Sequence, residues 1–145
     1  MNKYGEYMGL TNDGNSLLNT PVELPSSWKM TCIYRSTRAY SSWFLISVGE
    51  DFENNSRYDI GKNTRGSMDI KTPSTTLATL SSSINTGTDY LVTITYKNGE
   101  YNLWMDEKHI SAIDTTYSPT YFFGLRLSAY SGNGAKIKDI KIVKI

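Results

Sequence analysis

The sequence predicts an all-β protein built as a two-sheet antiparallel β-sandwich, with residues 1–145 forming one domain. Ser, Thr and Asn together make up 44 of the 145 residues and Tyr adds 11, whereas good helix formers are scarce. Apolar and polar residues alternate in several short segments, and turn signals separate those segments at short intervals. About eight to twelve short strands at such spacing are typical of a β-sandwich.

Charge and cysteine content exclude several classes of function. The net charge of +1 gives no electrostatic reason to expect a nucleic-acid partner or an anionic membrane surface. Cys32 stands alone, which excludes an intramolecular disulfide and a multi-cysteine metal site. No apolar run reaches the ~18 residues of a membrane span, so we expect no membrane insertion. The first residues lack the apolar stretch of a signal peptide, so either the chain functions without one or Met1 was added to an excised domain.

The first predicted strands lie in the segments "WKMTCIYR" and "WFLISVG". Alternation in the former separates an apolar from a mixed face. The apolar face comprises Trp28, Met30, Cys32 and Tyr34, and the other comprises Lys29, Thr31, Ile33 and Arg35. The latter segment, residues 43–49, is apolar on both faces, as expected of a central strand.

The middle of the chain predicts three further strands. "RYDIGKN" and "GSMDIK" are two short strands around a turn near residues 63–66. Residues 71–89 carry Leu77, Leu80 and Ile84 spaced among Ser and Thr, which favours a strand and a packed loop over a linker.

Residues 90–105 predict a β-hairpin, because Asn98-Gly99 favours a two-residue type I′ turn. The resulting register separates an apolar from a polar face, and a slip of one residue would destroy that separation. The apolar face carries Val92, Ile94, Tyr96, Tyr101, Leu103 and Met105, and the polar face carries Thr93, Thr95, Lys97, Glu100, Asn102 and Trp104. A second turn at Asp106-Glu107 leads into "KHISAI", residues 108–113.

Two strands complete the predicted sandwich. "YFFGLRLS", residues 121–128, is the first of them. The closing segment "AKIKDIKIVKI" places Ile137, Ile140 and Ile142 out of strict alternation. A β-bulge near Lys138-Asp139 would restore the phase.

The segment "DYLVTITYKNGEYNLWMDEKHISA" resembles the hairpin of concanavalin A-like (laminin-G-like) jelly rolls. In that family an aromatic residue, a "V-T-x-x" strand, a turn and "L-x-V-D-G-x" follow one another. Tyr90 stands at the aromatic position, and Glu107 replaces the usual turn glycine. "PSSWKMTCIYR" resembles the early "F-T-I-S-x-W-V" strand, with Ile33 where an outward Trp is common, and "GAKIKDIKIVKI" resembles the closing strand. The resemblance implies a jelly roll of the carbohydrate-binding-module type found in phage tail and bacterial surface proteins.

The residues give little support to catalysis. Retaining glycosidases need two carboxylates on one sheet face, whereas Glu50, Asp51 and Glu53 in "GEDFEN" enter a loop with neighbouring acids on opposite faces. His109 has no Ser or Cys arrangement of a triad nearby and is interpreted as a surface strand residue. Cys32 lies on the apolar face and is interpreted as a small buried hydrophobe. We predict a protein that is not an enzyme.

A calcium site is one interpretation of "TNDGNS". Its candidate ligands are Asn12, Asp13 and Asn15, and calcium is frequent in related carbohydrate-binding jelly rolls. Calcium needs six to eight oxygen ligands, more than this loop supplies, and an ordinary Asp-Gly turn explains the segment equally well. No other cofactor is expected.

Carbohydrate sites combine aromatic platforms with hydrogen-bonding groups, and the sequence offers several candidates. The hairpin register places Trp104 on the polar face near Asn102; the alternative is that Trp104 packs under a cover. Polar loops supply the other candidate ligand-binding residues: Arg38, Tyr40, Trp43, Tyr117 and Tyr130.

These observations predict a non-catalytic carbohydrate-binding domain that recognises a cell-surface or cell-wall polysaccharide. Its expected setting is a phage tail or baseplate adhesion protein, hence the virion, with other subunits of that assembly as partners. A module of a secreted polysaccharide-degrading enzyme, extracellular or on the cell surface, fits almost as well. The alternative from another class is a structural or protein-interaction domain of a larger fibre. The choice among them rests on the family resemblance, since the fold alone does not determine function.

Overall fold

A computed structural model describes residues 8–9, 14–20, 23–36, 44–63, 66–81, 84–130 and 133–145; for 8–9, 14–20, 122, 128–130 and 133–135 it describes the backbone only. The strands in this part of the chain are β1 (Met8–Gly9), β2 (Gly14–Thr20), β3 (Trp28–Ser36), β4 (Phe44–Asp51), β5 (Ser56–Lys62), β6 (Met68–Lys71), β7 (Thr76–Leu80), β8 (Asp89–Lys97), β9 (Glu100–Met105), β10 (Lys108–Ile113), β11 (Phe122–Tyr130) and β12 (Asn133–Lys144). None of the described residues forms a helix long and apolar enough to cross a membrane.

Ten of these twelve strands form two antiparallel sheets of five strands each. Sheet A has the order β10-β9-β8-β3-β12, and sheet B has the order β11-β4-β5-β6-β7. The short β1 pairs with β12 in sheet A, and β2 pairs with β11 in sheet B. The two sheets are connected where β11 and β12 pair at residues 129–130 and 133–134. The predicted two-sheet antiparallel sandwich is confirmed.

The hydrophobic core fills the space between the sheets. The four predicted apolar residues of β3 are each at most 1% exposed. These residues face strands β4 and β5 of sheet B, which are buried on both of their faces, as predicted for the "WFLISVG" segment. Tyr34 stacks on Phe44 with ring centroids 5.2 Å apart, and Tyr58 contacts Tyr101 at 4.4 Å, so aromatic pairs link the two sheets. Ile84 is buried in the loop after β7, which confirms the strand and packed loop predicted for residues 71–89.

The β8–β9 hairpin has the predicted register in every pair from Val92–Met105 to Lys97–Glu100. Asn98 and Gly99 both have positive φ, 50° and 81°, as a type I′ turn requires. In the turn between β9 and β10, Asp106 has a positive φ of 53°, which aspartate tolerates. Glu107 has no positive φ, so this position does not require the glycine that is usual in concanavalin A-like jelly rolls. The register of β12 shifts between Lys138 and Lys141, where the bulge was predicted.

Substitution of Gly99 tests how tightly the β8–β9 turn packs against its neighbours. A Cβ at Gly99 would lie 2.9 Å from Cγ2 of Thr115, whereas a Cβ at Gly87, with similar φ of 74°, meets nothing within 4 Å. We expect Gly99→Ala to lower the free energy of unfolding by about 2 kcal/mol and Gly87→Ala by about 1 kcal/mol, because only the former adds a steric contact to the backbone strain. Urea denaturation of both variants measures the difference; equal losses would show that the Thr115 contact costs nothing.

Lys62 is an unusual member of the interior. It lies opposite Phe44 on β4 and Met68 on β6, both fully buried core residues, and is itself 0% exposed. Burial disfavours the charged ammonium and lowers the pKa of Lys62 to about 8. Because the unfolded value is 10.5, the unfolded chain binds more protons than the folded one between about pH 8 and 10.5. The contribution of Lys62 to stability is therefore largest above this window and lost as the pH falls through it.

Lys62→Met should remove this pH dependence. We expect the stability of the wild type relative to the variant to rise by about 1–2 kcal/mol between pH 8 and pH 10.5. Urea denaturation across the range measures it, and using the difference between the proteins cancels titration of Cys32 and the tyrosines. Lys71→Met, on the half-exposed lysine of β6, is the matched control. Parallel wild-type and Lys62→Met profiles would contradict the expectation.

Candidate functional site

One row of side chains crosses the whole outer face of sheet A. Cross-strand pairing aligns its members directly opposite one another on five successive strands. The strands lie about 4.8 Å apart, so neighbouring side chains in the row are in reach of one another. The row comprises His109, Trp104, Thr93, Thr31 and Lys141.

Trp104 presents a flat aromatic ring in this row. Its indole stacks on the imidazole of His109, with ring centroids 4.6 Å apart and planes 14° apart. Since β10 and β8 lie on opposite sides of β9, the other face of the indole is turned towards Thr93 and Thr31, whose side chains are short. Trp104 is half-buried and lies outside the core, as the hairpin register predicts.

Hydrogen bonds hold the polar neighbours of Trp104 in place. His109 Nε2 lies 2.8 Å from Asn102 Oδ1, and Asn102 Nδ2 donates to Glu100 Oε1 at 3.0 Å. Because an amide oxygen only accepts, His109 Nε2 carries the hydrogen in this bond. The two bonds fix the orientation of the Asn102 amide, so part of the conformational cost of binding is met before a ligand arrives.

Beside Trp104 the surface continues into a hollow of about 340 Å³. Asn102 belongs to both the hollow and the hydrogen-bonded chain, and the hollow ends at the exposed apolar side chains of Ile113 and Ile145. The distance along β9 from Trp104 to Glu100 is four residues, or about 13 Å. The Trp104 indole and the hollow therefore lie on one elongated surface, which we call the Trp104 platform. Its residues are Trp104, His109, Asn102, Glu100, Thr93, Thr95, Lys97 and Ile113.

The Trp104 platform has the chemical parts that sugars require. An indole face packs against the C–H face of a sugar ring, and the threonine hydroxyls, the Asn102 amide and the Glu100 carboxylate are hydrogen-bonding groups for its hydroxyls. The pairing of His109 with Trp104 was not predicted from the sequence. The signal was available, because extending the hairpin register through the second turn pairs them directly.

The other predicted ligand residues are not brought to this surface within the described part of the chain. Tyr117 packs edge-on against Tyr58 at 5.7 Å, and its backbone N–H donates to the Tyr58 hydroxyl at 3.1 Å, so its ring belongs to the border of the core. Arg38, Tyr40 and Trp43 lie outside the described residues, and Tyr130 is described by its backbone only. Their roles in binding remain predictions.

The acidic segment after Gly49 builds a turn. Strand β4 continues to Asp51, two residues further than predicted. The Asp51 carboxylate accepts hydrogen bonds from the Asn54 side chain and from the backbone N–H groups of Glu53 and Asn54, which lower the pKa of Asp51. Glu50 accepts a hydrogen bond at 2.7 Å from the backbone N–H of Ser118. Both carboxylates thus have structural roles, but Glu50 and Asp51 are the last residues of β4 and do not lie in the loop that was predicted to follow Gly49.

The calcium prediction is not tested by the structure. Asn12 and Asp13 lie outside the described residues, and Asn15 lies in β2, where only the backbone is described. Among the side chains that are described, no three His, Cys, Asp or Glu residues come together as a metal site would require.

A charged cluster on the outer face of sheet B escaped the sequence analysis. Asp59 accepts hydrogen bonds from the Ser47 hydroxyl at 2.5 Å and from Arg57 Nε at 3.1 Å, and Arg126 Nη1 lies 3.7 Å from its second oxygen. The Arg57 guanidinium also covers the ring of Phe52 at 4.4 Å. Alternation within "RYDIGK" places Arg57 and Asp59 on one face, but their burial depends on packing that no local pattern shows. The described partners of Asp59 are internal, so the cluster stabilises sheet B.

Comparisons with known proteins place the fold. No protein-family profile and no curated protein sequence matches the chain. Among solved structures, the carbohydrate-binding module CBM66 from Bacillus subtilis superposes with a TM-score of 0.69 at 12% identity, covering 95% of this chain and 91% of that one. The exoplasmic/lumenal domain of VIP36, also known in Ca²⁺- and mannose-bound forms, has a TM-score of 0.71 at 9% identity, with coverages of 92% and 76%. An alginate lyase of polysaccharide lyase family 7 has a TM-score of 0.60 at 10% identity and covers 90% of this chain and 63% of that one. The concanavalin A-like jelly roll implied by the sequence is confirmed.

Proposed function

We propose that the protein is a non-catalytic carbohydrate-binding domain that holds a polysaccharide on the Trp104 platform. The observation that carries the proposal is the indole of Trp104, which lies on the outer face of sheet A, stacked on His109 and flanked by short hydroxyl side chains. A sugar ring would rest against the face of the indole turned towards Thr93, with Asn102 and Thr95 bonding its hydroxyls.

The shape of the surface supports a polymer as ligand. The platform is open and extends about 13 Å along β9, so that it can accept neighbouring sugars of one chain. An open surface of this kind makes few contacts with each sugar. Because a polysaccharide repeats the same sugar, a second copy can bind when the first dissociates, which raises the effective affinity. The fold is shared with a carbohydrate-binding module and with the VIP36 domain, which has a mannose-bound form, so the proposed role is compatible with this fold.

We further infer that the polysaccharide belongs to a cell wall or cell surface and that the domain works within a phage tail or baseplate adhesion protein. The support is compositional: Tyr, Asn, Ser and Thr are abundant, as on adaptable recognition surfaces. Fluorescently labelled protein should then bind the cells of some bacterial strains and not of others. Extraction of the wall polysaccharide from the strains that are bound should abolish the labelling. Labelling that survives this extraction would place the receptor in another class of molecule.

Calorimetric titration against a panel of purified cell-wall and plant polysaccharides tests the proposed function. We expect saturable binding to at least one polymer, with no change in its chain length after prolonged incubation. Absence of binding across the panel would favour a structural or protein-interaction domain, and shortening of the polymer would show an enzyme. Size-exclusion chromatography of the treated polymer distinguishes these outcomes.

A further inference from the structure

The paired strand positions on the outer face of sheet A carry more cationic than acidic side chains, although the whole chain is nearly neutral. The chain carries 15 cationic and 14 acidic side chains. At the regularly paired outward positions of the five strands, cationic residues outnumber the acidic Asp89 and Glu100. Asp139 lies in the bulge of β12, and the exposed Asp106 and Glu107 lie in the turn between β9 and β10. The cationic residues at these positions are Lys29, Arg35, Lys97, Lys136, Lys138 and Lys141.

Local pairing concentrates the excess on β3 and β12. Arg35 forms an ion pair with Asp89 at 2.7 Å, and Lys97 lies opposite Glu100. Lys29 and Lys141, by contrast, are exposed and lie opposite uncharged residues: Lys29 faces Thr95 and Val143, and Lys141 faces Thr31. The positive charge that remains therefore lies on the side of Trp104 that faces Thr93 and Thr31.

The register fixes where these lysines stand relative to the indole. Lys141 ends the row that begins with His109 and Trp104, three strand spacings or about 14 Å from Trp104. Lys29 lies two strands from β9 in the adjoining row, opposite Thr95. A sugar that rests on the indole above Thr93 and Thr31 thus directs its far substituents towards two flexible ammonium groups.

We propose that the ligand of the Trp104 platform is an anionic polysaccharide, whose carboxylate or phosphate groups are held by Lys29 and Lys141. This inference rests on the proposed function and specifies its ligand class. Lysine binds either anion as a point charge, so uronic acid and sugar-phosphate polymers share the required chemistry. Because the lysines are exposed, their contribution should weaken as salt screens it, over a Debye length of about 10 Å at 0.1 M.

Matched polymers and matched variants test the ligand class. The polymers are polygalacturonate, the same polymer after reduction of its carboxyl groups to alcohols, and a poly(glucosyl phosphate), whose sugar rings are joined by phosphodiesters. The test variant is the double substitution Lys29→Gln/Lys141→Gln. The control is Lys71→Gln, the same type of substitution at a single position on sheet B. Affinities are measured by calorimetry at 50 and 300 mM NaCl.

We expect wild-type protein to bind at least one of the charged polymers about tenfold more tightly than the reduced polymer at low salt. The double lysine variant should lose about tenfold for that charged polymer and most of its salt dependence, while Lys71→Gln changes neither. Preference for polygalacturonate or for the phosphate polymer identifies the source of the anion, and either supports the proposal. Equal binding of charged and reduced polymers, with both lost in Trp104→Ala, would overturn the anionic ligand but keep the proposed function. Binding of no polymer at all would overturn both.

Discussion

Replacing Asp59 with alanine should lower the free energy of unfolding by about 3–5 kcal/mol, because it leaves the charge of Arg57 buried without its counter-ion. Asp59 is 2% exposed and Arg57 is 8% exposed. The variant also removes the acceptor of the Ser47 hydroxyl, which lies in a fully buried side chain. Arg57 keeps two acceptors, the carbonyl of Phe52 and the side chain of Asn55, so the loss is smaller than for a charge without any partner.

The exposed ion pair between Arg35 and Asp89 is the matched control for this prediction. Its two side chains are 38% and 40% exposed, and solvent screens their attraction. Asp89→Ala should therefore cost at most about 1 kcal/mol. Urea denaturation of the two variants at pH 7 measures both changes. Similar losses of unfolding free energy in Asp59→Ala and Asp89→Ala would show that the charged cluster on sheet B is solvated and does not stabilise the sheet.

Removing the indole of Trp104 should reduce polysaccharide affinity by about 30-fold, or ~2 kcal/mol, because aromatic anchors dominate the energetics of binding surfaces. Trp104→Phe keeps a smaller aromatic face and should retain part of the affinity. Trp104 is half-buried and outside the core, so Trp104→Ala should lower the free energy of unfolding by only about 1 kcal/mol. Calorimetry measures the affinities, and urea denaturation shows that the variants remain folded.

Tyr121→Ala controls for the general effect of losing an aromatic surface residue. Tyr121 is 63% exposed and precedes β11 of sheet B, away from the Trp104 platform. Its replacement should leave the affinity within twofold of the wild type. A loss in Tyr121→Ala equal to that in Trp104→Ala, or no loss in either, would locate binding elsewhere on the molecule.

Much of the fold is determined by local patterns that can be read from the sequence. The Asn98-Gly99 turn fixes the β8–β9 register, and that register alone places Trp104 opposite Thr93 and outside the core. The bulge of β12 follows similarly from a phase break in the spacing of isoleucines. Turn chemistry and period-two alternation act over a few residues, which is why these predictions succeed.

The features that the sequence analysis missed depend on contacts between distant segments. Lys62 lies in a strand pattern where alternation assigns it to the core face, but a lysine is not expected there from its chemistry. Arg57 and Asp59 are buried through packing with Phe52 and Arg126. Tyr117 looked like a loop anchor in sequence, and it packs on Tyr58, 59 positions away. Such side chains are placed by tertiary packing, which local patterns do not contain.

The nuclear magnetic resonance signals of His109 provide the most direct measurement of binding at the Trp104 platform. His109 is the chain's one histidine, so its imidazole signals need no further assignment, and the ring lies 4.6 Å from the indole of Trp104. During titration with a polysaccharide that the wild type binds, the imidazole signals should shift in proportion to saturation and stay fixed in Trp104→Ala. Saturable binding that leaves the His109 signals unchanged in the wild type would contradict the proposal that sugars rest on this face of sheet A.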